Sequence, residues 1–231
     1  MKFFVFLTSS LIILSSCKKE KLNSYEVSPG AGVVDIDGNF YKTVKVGETE
    51  WMAENLRVSK TNTGEQLTYF STTTAFKENY DLHNAEKLAY TYYNFDSTYH
   101  KTYGKLYNSK ASHKVCPTGW HLPDDTEWEA LMEGFGGDKS AGGKFKESGF
   151  EHWKSPNTNA DNATLLTFKP NGMLNQEGNF EGIGTFAAWW TISTKGIEFS
   201  PKGLKVSYDS DDVQDFYQKG YAALAIRCKR D

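Results

Sequence analysis

Five histidines, three cysteines and several close-set carboxylates are the side chains with which this chain could do chemistry. The histidines His83, His100, His113, His121 and His152 never stand as His-x-His or in His-Glu-x-x-His, so their spacing builds no zinc site. There is no Gly-x-Ser-x-Gly elbow, no phosphate-binding glycine loop and no dinucleotide fingerprint. Glu127 with Glu129, and Asp209 with Asp212, are carboxylate pairs that capping and solvation explain better than general acid–base work. Asp209-Ser210-Asp211-Asp212 reads first as a solvated hairpin tip, with carboxylates on a metal as the alternative. Asp35-Ile36-Asp37-Gly38 has the form of half a calcium loop, but a third acidic position and the glutamate at the twelfth are missing, so a turn is expected. The expectation is a non-catalytic protein with no cofactor and no metal.

The cysteines say more. Lys2 precedes an apolar run from Phe3 to Leu14, too short for a bilayer core of about 30 Å and the right length for a signal segment. Leu14-Ser15-Ser16-Cys17 resembles the bacterial lipobox, whose cysteine is acylated and becomes the new N-terminus; a plain secretory signal is the alternative. The expected organisation is a signal peptide over 1–16, a lipidated Cys17 and flexible tether over 17–32, and one domain over 33–231. Acyl chains on Cys17, palmitate among them, would anchor it stably. The expected location is therefore the bacterial cell envelope, at the outer membrane and its surface. Lys18, Lys19 and Lys21 are either a solvated tether or a surface-export tag.

With Cys17 used by lipid, Cys116 and Cys228 remain as an even pair in an oxidising compartment, and a disulfide is expected. It would close a loop of about 113 residues, for which chain entropy gives up to roughly 4.7 kcal/mol. The alternative is two buried free thiols. Net charge is −3, with no basic stripe, so nucleic acid is not an expected partner.

The elements that must position these groups centre on Cys116 to Trp128. Asp124 followed by Glu127 is a reciprocal helix cap. Trp128, Leu131, Met132 and Phe135 then share one helical face, and Gly136-Gly137 supplies a stop. The spacing predicts a helix over about 125–135. Trp120, His121, Asp124, Glu127 and Trp128 form the expected structural hub, with Pro117 and Pro123 biasing the residues before them towards extended backbone.

Elsewhere Asp37-Gly38 predicts a two-residue hairpin turn, and Gly47-Glu48 a second hairpin returning through Trp51-Met52. Residues 59–86 show no regular element. Tyr90 to Phe95 and Tyr103 to Asn108 read as strands around a polar turn, with half-buried core as the first reading of the tyrosines and an exposed sugar platform as the second. A short helix is expected within Ser140–Ser148, weakened by Gly142-Gly143. Residues 149–186, rich in Asn and Gly, read as one long irregular stretch, and such stretches are usually either functional or mobile. Asn159, Asn162, Asn171, Asn175 and Trp189 are its candidate binding surface. Ala222 to Cys228 reads as a closing strand with Leu224, Ile226 and Cys228 on one face.

Several blocks in order carry a resemblance: Gly38 to Val44, Trp51 to Leu56, Tyr103-Gly104-x-Leu106-Tyr107-Asn108, Cys116 to Pro123, Glu127-Trp128, Trp189-Trp190 and Ile226-Arg227-Cys228. Together they resemble the Fibrobacter succinogenes major paralogous domain, over roughly 33–231. The resemblance implies an α+β, C-type lectin-like fold of twisted antiparallel strands, with one or two short helices and long irregular loops. It implies no assigned activity. Calcium-dependent lectins carry Glu-Pro-Asn and Trp-Asn-Asp at their sugar site, and neither occurs here. The expected function is an envelope binding module for a glycan or protein ligand, with an envelope assembly component, and then an enzyme on envelope polymers, as alternatives.

Overall fold

Thr43-Val44-Lys45-Val46 alternates in polarity and is followed by Gly47 at φ 57°, a left-handed angle that glycine reaches without strain, so the chain folds back on Thr49–Met52. A computed structural model, which describes residues 25–78, 87–194, 201–218 and 222–231, builds this hairpin into a larger sheet. In chain order the first strands are β1 (Val27–Pro29), β2 (Val33–Val34), β3 (Phe40–Tyr41), β4 (Thr43–Val46) and β5 (Thr49–Met52). There follow β6 (Thr68–Tyr69), α1 (Thr73–Glu78), β7 (Ala89–Thr91), α2 (His100–Tyr103), β8 (Leu106–Asn108), α3 (Ser109–Ser112) and β9 (Trp120–His121). The capped helix α4 (Asp125–Glu133) and α5 (Ala141–Phe145) come next, then β10 (Asn171–Leu174), β11 (Phe180–Ile183) and β12 (Phe186–Thr191). The chain closes with β13 (Lys202–Ser207), β14 (Val213–Tyr217), β15 (Ala223–Leu224) and β16 (Lys229–Arg230).

The result is an α+β fold dominated by strands. One sheet runs β1-β4-β5-β16-β9, so the last strand sits in the middle of a sheet begun by the first. A second runs β14-β13-β12-β10-β15-β8-β7-β6, with β11 also paired to β10. Between them the indole of Trp128, delivered by α4, lies 4.7 Å from that of Trp51 and 5.3 Å from that of Trp189, centroid to centroid. These rings, with Phe145, Trp153 and Phe168, form one buried cluster. A second gathers Met52, Leu56, Tyr107, Trp190, Leu224, Ile226 and the two bonded cysteines. Leu224, Ile226 and Cys228 thus share a core, as the alternation requires.

Several expectations are corrected. Residues 27–29 belong to the sheet and not to a tether, because their backbone pairs with 44–46, and Tyr25 reaches the Ala130 carbonyl. The turn between β2 and β3 spans 35–39. Buried Asp35 accepts from Asp37 N and Asn39 N, both at 2.9 Å, and from the Tyr41 hydroxyl at 2.6 Å; this local side-chain turn replaces the two-residue one. Residues 59–78 contain β6 and α1, and 79–86 lie outside the described residues. The stretch after 149 is irregular only to 170, since β10, β11 and the start of β12 occupy much of the rest. Five short α-helices and two 3-10 turns, at 93–95 and 97–99, stand among the described residues where one or two helices were expected, because single turns follow Asn108 and the 97–99 turn. The signal and lipidation readings, including Cys17, fall outside the described residues. No helix among the described residues is long and apolar enough to cross a membrane.

Candidate functional site

The expected hub assembles as a structural joint. Cys116 is bonded to Cys228 across a sequence separation of 112. Asp124 accepts from Glu127 N at 2.9 Å while Glu127 accepts from Asp124 N at 3.0 Å, completing the cap. Glu127 also receives Lys229 Nζ at 2.8 Å. His121 contacts Glu127 through Nε2 at 2.9 Å and Asp231 through Nδ1 at 2.6 Å. Burial alone would lower the His121 pKa, but its hydrogen bonds to the Asp231 and Glu127 carboxylates outweigh it and hold the imidazole above its ordinary value. Burial would likewise raise Glu127, yet Lys229, the Asp124 amide and His121 hold it below the ordinary carboxylate value. Trp120 and Trp128 are buried beside these groups. The ion pairs of Glu127 and His121 thus tie the C-terminal residues 229 and 231 to the start of α4.

The expected Asn/Trp surface does not assemble. Asn171 is 2% exposed and donates to the carbonyls of Gly172 and Ala188, and Trp189 is 2% exposed in the aromatic core. Both are interior because 171–174 and 186–191 are paired strands. Asn175 caps the turn to β11 by accepting from Glu177 N and Asn179 N. Asn162 is tied to Thr167. Asn159 is exposed and bonds Asp211. These side chains stabilise separate turns.

A cleft of about 360 Å³ lies elsewhere, within the range of small-ligand sites. Pro29, Gly32 and Phe40 form one wall, Lys101 and Thr102 of α2 another, and Leu165, Thr167 and Lys169 a third. Its floor is Asn55, Gly104 and Arg227. Asn55 follows the β5 return and donates its amide to the Tyr103 carbonyl at 2.9 Å. Gly104 lets the chains approach this closely: a Cβ there would sit 2.5 Å from that of Asn55, and its φ is +81°. The oriented Asn55 oxygen accepts Arg227 Nε at 2.8 Å.

Arg227 is 4% exposed. Its other donors reach the carbonyls of Met52, Leu166 and Thr167, and its guanidinium lies 4.0 Å from the Phe168 centroid. Each of these acceptors is neutral. Burial pushes the group down to about 9, against the opposing pull of the nearby Glu54 charge, so it is a cation at neutral pH whose hydrogen bonds reach no carboxylate among the described residues. The segment that supplies the Leu166 and Thr167 carbonyls carries positive φ at Leu165, 57°, and Thr167, 52°, angles that side chains with a Cβ adopt at a cost. On the rim, Arg57 is fixed over the Tyr41 ring at 4.5 Å and bonds the Phe40 carbonyl and Glu54.

The signal for this floor was present in the sequence only as an arginine inside an otherwise apolar closing strand. A possible metal grouping, also invisible in the motifs, is Glu147, Glu151 and His152, whose ligand atoms lie within 4.8 Å of one another. His152 is already bonded to Glu147 at 2.7 Å, and Lys169 Nζ stands 3.7 Å from the same carboxylate, so the grouping is balanced by its own cation.

The model of the Fibrobacter succinogenes major domain matches residues 44–230. No curated protein and no solved structure matches the chain. Asn55, Gly104 and Arg227 all fall within the match and within the blocks that carried the resemblance.

Proposed function

The chain belongs to the Fibrobacter succinogenes major domain family, and from that premise we propose that it is a non-catalytic binding module of the cell envelope, taking its ligand in the cleft above Arg227. The observation that carries this reading is the convergence of three sequence-distant blocks, at Asn55, Gly104 and Arg227, on one cleft floor. A buried cation held only by neutral acceptors and two strained backbone positions are costs that a ligand site accounts for. The lining offers cations, amides and hydroxyls, and its one carboxylate, Glu54, already receives Lys42 N and Arg57; these are groups for recognition.

The finer architecture belongs to the same proposal. We read the fold as C-type lectin-like, supported by the pairing of β16 with β5 and by the disulfide that ties the chain's end to the approach of α4. The Leu14 to Cys17 tetrad supports a lipid anchor on Cys17 at the outer membrane, with the domain presented to glycans or proteins. The test uses the full chain immobilised on glycan and matrix-protein arrays. Exposed Thr102 on the cleft wall, changed to Trp, should fill the cleft and abolish the captured ligand while leaving the unfolding curve in place. Unchanged capture by Thr102→Trp, or a single stoichiometric envelope partner that ignores the cleft, would overturn the reading.

A further inference from the structure

The cleft differs in charge from the molecule that carries it. Five cations line it, Lys42, Arg57, Lys101, Lys169 and Arg227, against the single carboxylate of Glu54, on a chain of formal net charge −3. Two are matched nearby, Arg57 by Glu54 at 3.4 Å and Lys169 by Glu147 at 3.7 Å. Lys42, Lys101 and Arg227 form no ion pair among the described residues. Low-dielectric walls around like charges concentrate the field and favour an anion entering from solvent. Inside the cleft the guanidinium has exchanged water for neutral hydrogen-bond acceptors, and the nearby Glu54 charge is shared with Arg57, so an incoming anion meets an excess of positive charge.

The walls narrow the chemistry further. Phe40 stands at the rim, 55% exposed, and offers a flat apolar face of the kind on which a sugar ring stacks. Thr102 adds an exposed side chain with a hydroxyl on another wall. The volume suits roughly one or two sugar rings. A peptide docking as an added strand is poorly served: β1 is the edge of its sheet, Gly30 N already donates to Thr43 O at 2.8 Å, and Pro29, whose nitrogen alternates to the open side, has no N–H to give.

Resting on the reading of this cleft as the ligand site, we infer that it takes an acidic saccharide, with the carboxylate set among Arg227, Lys42 and Lys101 and a ring face on Phe40. The experiment titrates trigalacturonate, its methyl ester and triglutamate into the full chain by calorimetry. Lys42→Gln/Lys101→Gln carries the test, because Arg227 also holds four internal hydrogen bonds and its loss could unfold the domain. Expected are binding of trigalacturonate at least tenfold tighter than of the ester, weakening with salt, and a further loss of tenfold or more in the double variant. Equal binding of acid and ester, tighter binding of triglutamate, or an unaffected double variant would each overturn the inference. If a neutral saccharide or a protein is captured and lost in Thr102→Trp while trigalacturonate does not bind, only the acidic assignment falls; if nothing depends on the cleft, both readings fall.

Discussion

Arg227 donates its Nε–H to the side-chain oxygen of Asn55 at 2.8 Å, so a buried cation meets a neutral amide where a carboxylate would have balanced it. The same amide is oriented by the Tyr103 carbonyl at 2.9 Å. The pair joins the segment between β15 and β16, the β5 return and the end of α2 beneath one cleft, where the guanidinium adds to the positive charge of Lys42 and Lys101.

Replacing Arg227 by Gln is expected to destabilise the fold by about 3 kcal/mol or more, since the carbonyls of Leu166 and Thr167 would lose their buried donors. Urea unfolding with the disulfide intact measures this. A loss below about 1 kcal/mol would mean that water replaces the guanidinium freely.

Glu127→Gln separates charge from capping, because glutamine can still bond the Asp124 amide. Glu127 has a pKa below its ordinary 4.5, so its charge contributes stability above that value and the contribution is lost as pH falls through the folded pKa. The variant should cost about 1 kcal/mol at neutral pH, and the difference should close in acid. For His121 the sign is opposite: its pKa is raised, so its contribution is full below the ordinary 6.5 and fades as pH rises through the folded value. Unfolding midpoints of Glu127→Gln and His121→Gln across pH check both directions, and parallel curves would contradict them.

Reducing the Cys116–Cys228 bond, or replacing both residues by Ala, frees a segment spanning a sequence separation of 112. The expected loss is roughly 3–5 kcal/mol, read as the shift in the denaturant midpoint with and without reductant. The double variant should no longer respond to reductant.

Gly143→Ala should raise helix propensity in α5 by about 1 kcal/mol, yet the net effect is expected to be destabilising by about 1–3 kcal/mol. A Cβ at 143 would stand 2.6 Å from the Asn159 carbonyl oxygen, and that backbone is held by neighbouring turns. Thermal unfolding decides the sign.

The elements set by local chemistry were legible in the sequence. Asp124 and Glu127 specify a helix start wherever they occur three apart, the 128-131-132 stripe specifies its buried face, and Gly47 permits the β4–β5 turn. The disulfide followed from counting cysteines, on the expectation that Cys17 is taken by lipid. Asn171 and Trp189 were misplaced because an asparagine-rich composition says nothing of strand pairing, and β10 and β12 bury both. The cleft was decided only by tertiary structure. Asn55 meets Tyr103 across 48 positions and Arg227 across 172, and no periodicity or cap links residues so far apart. Their meeting depends on β16 inserting between β5 and β9, which places the preceding arginine against the β5 return and leaves its charge to be met by backbone carbonyls and by the cleft.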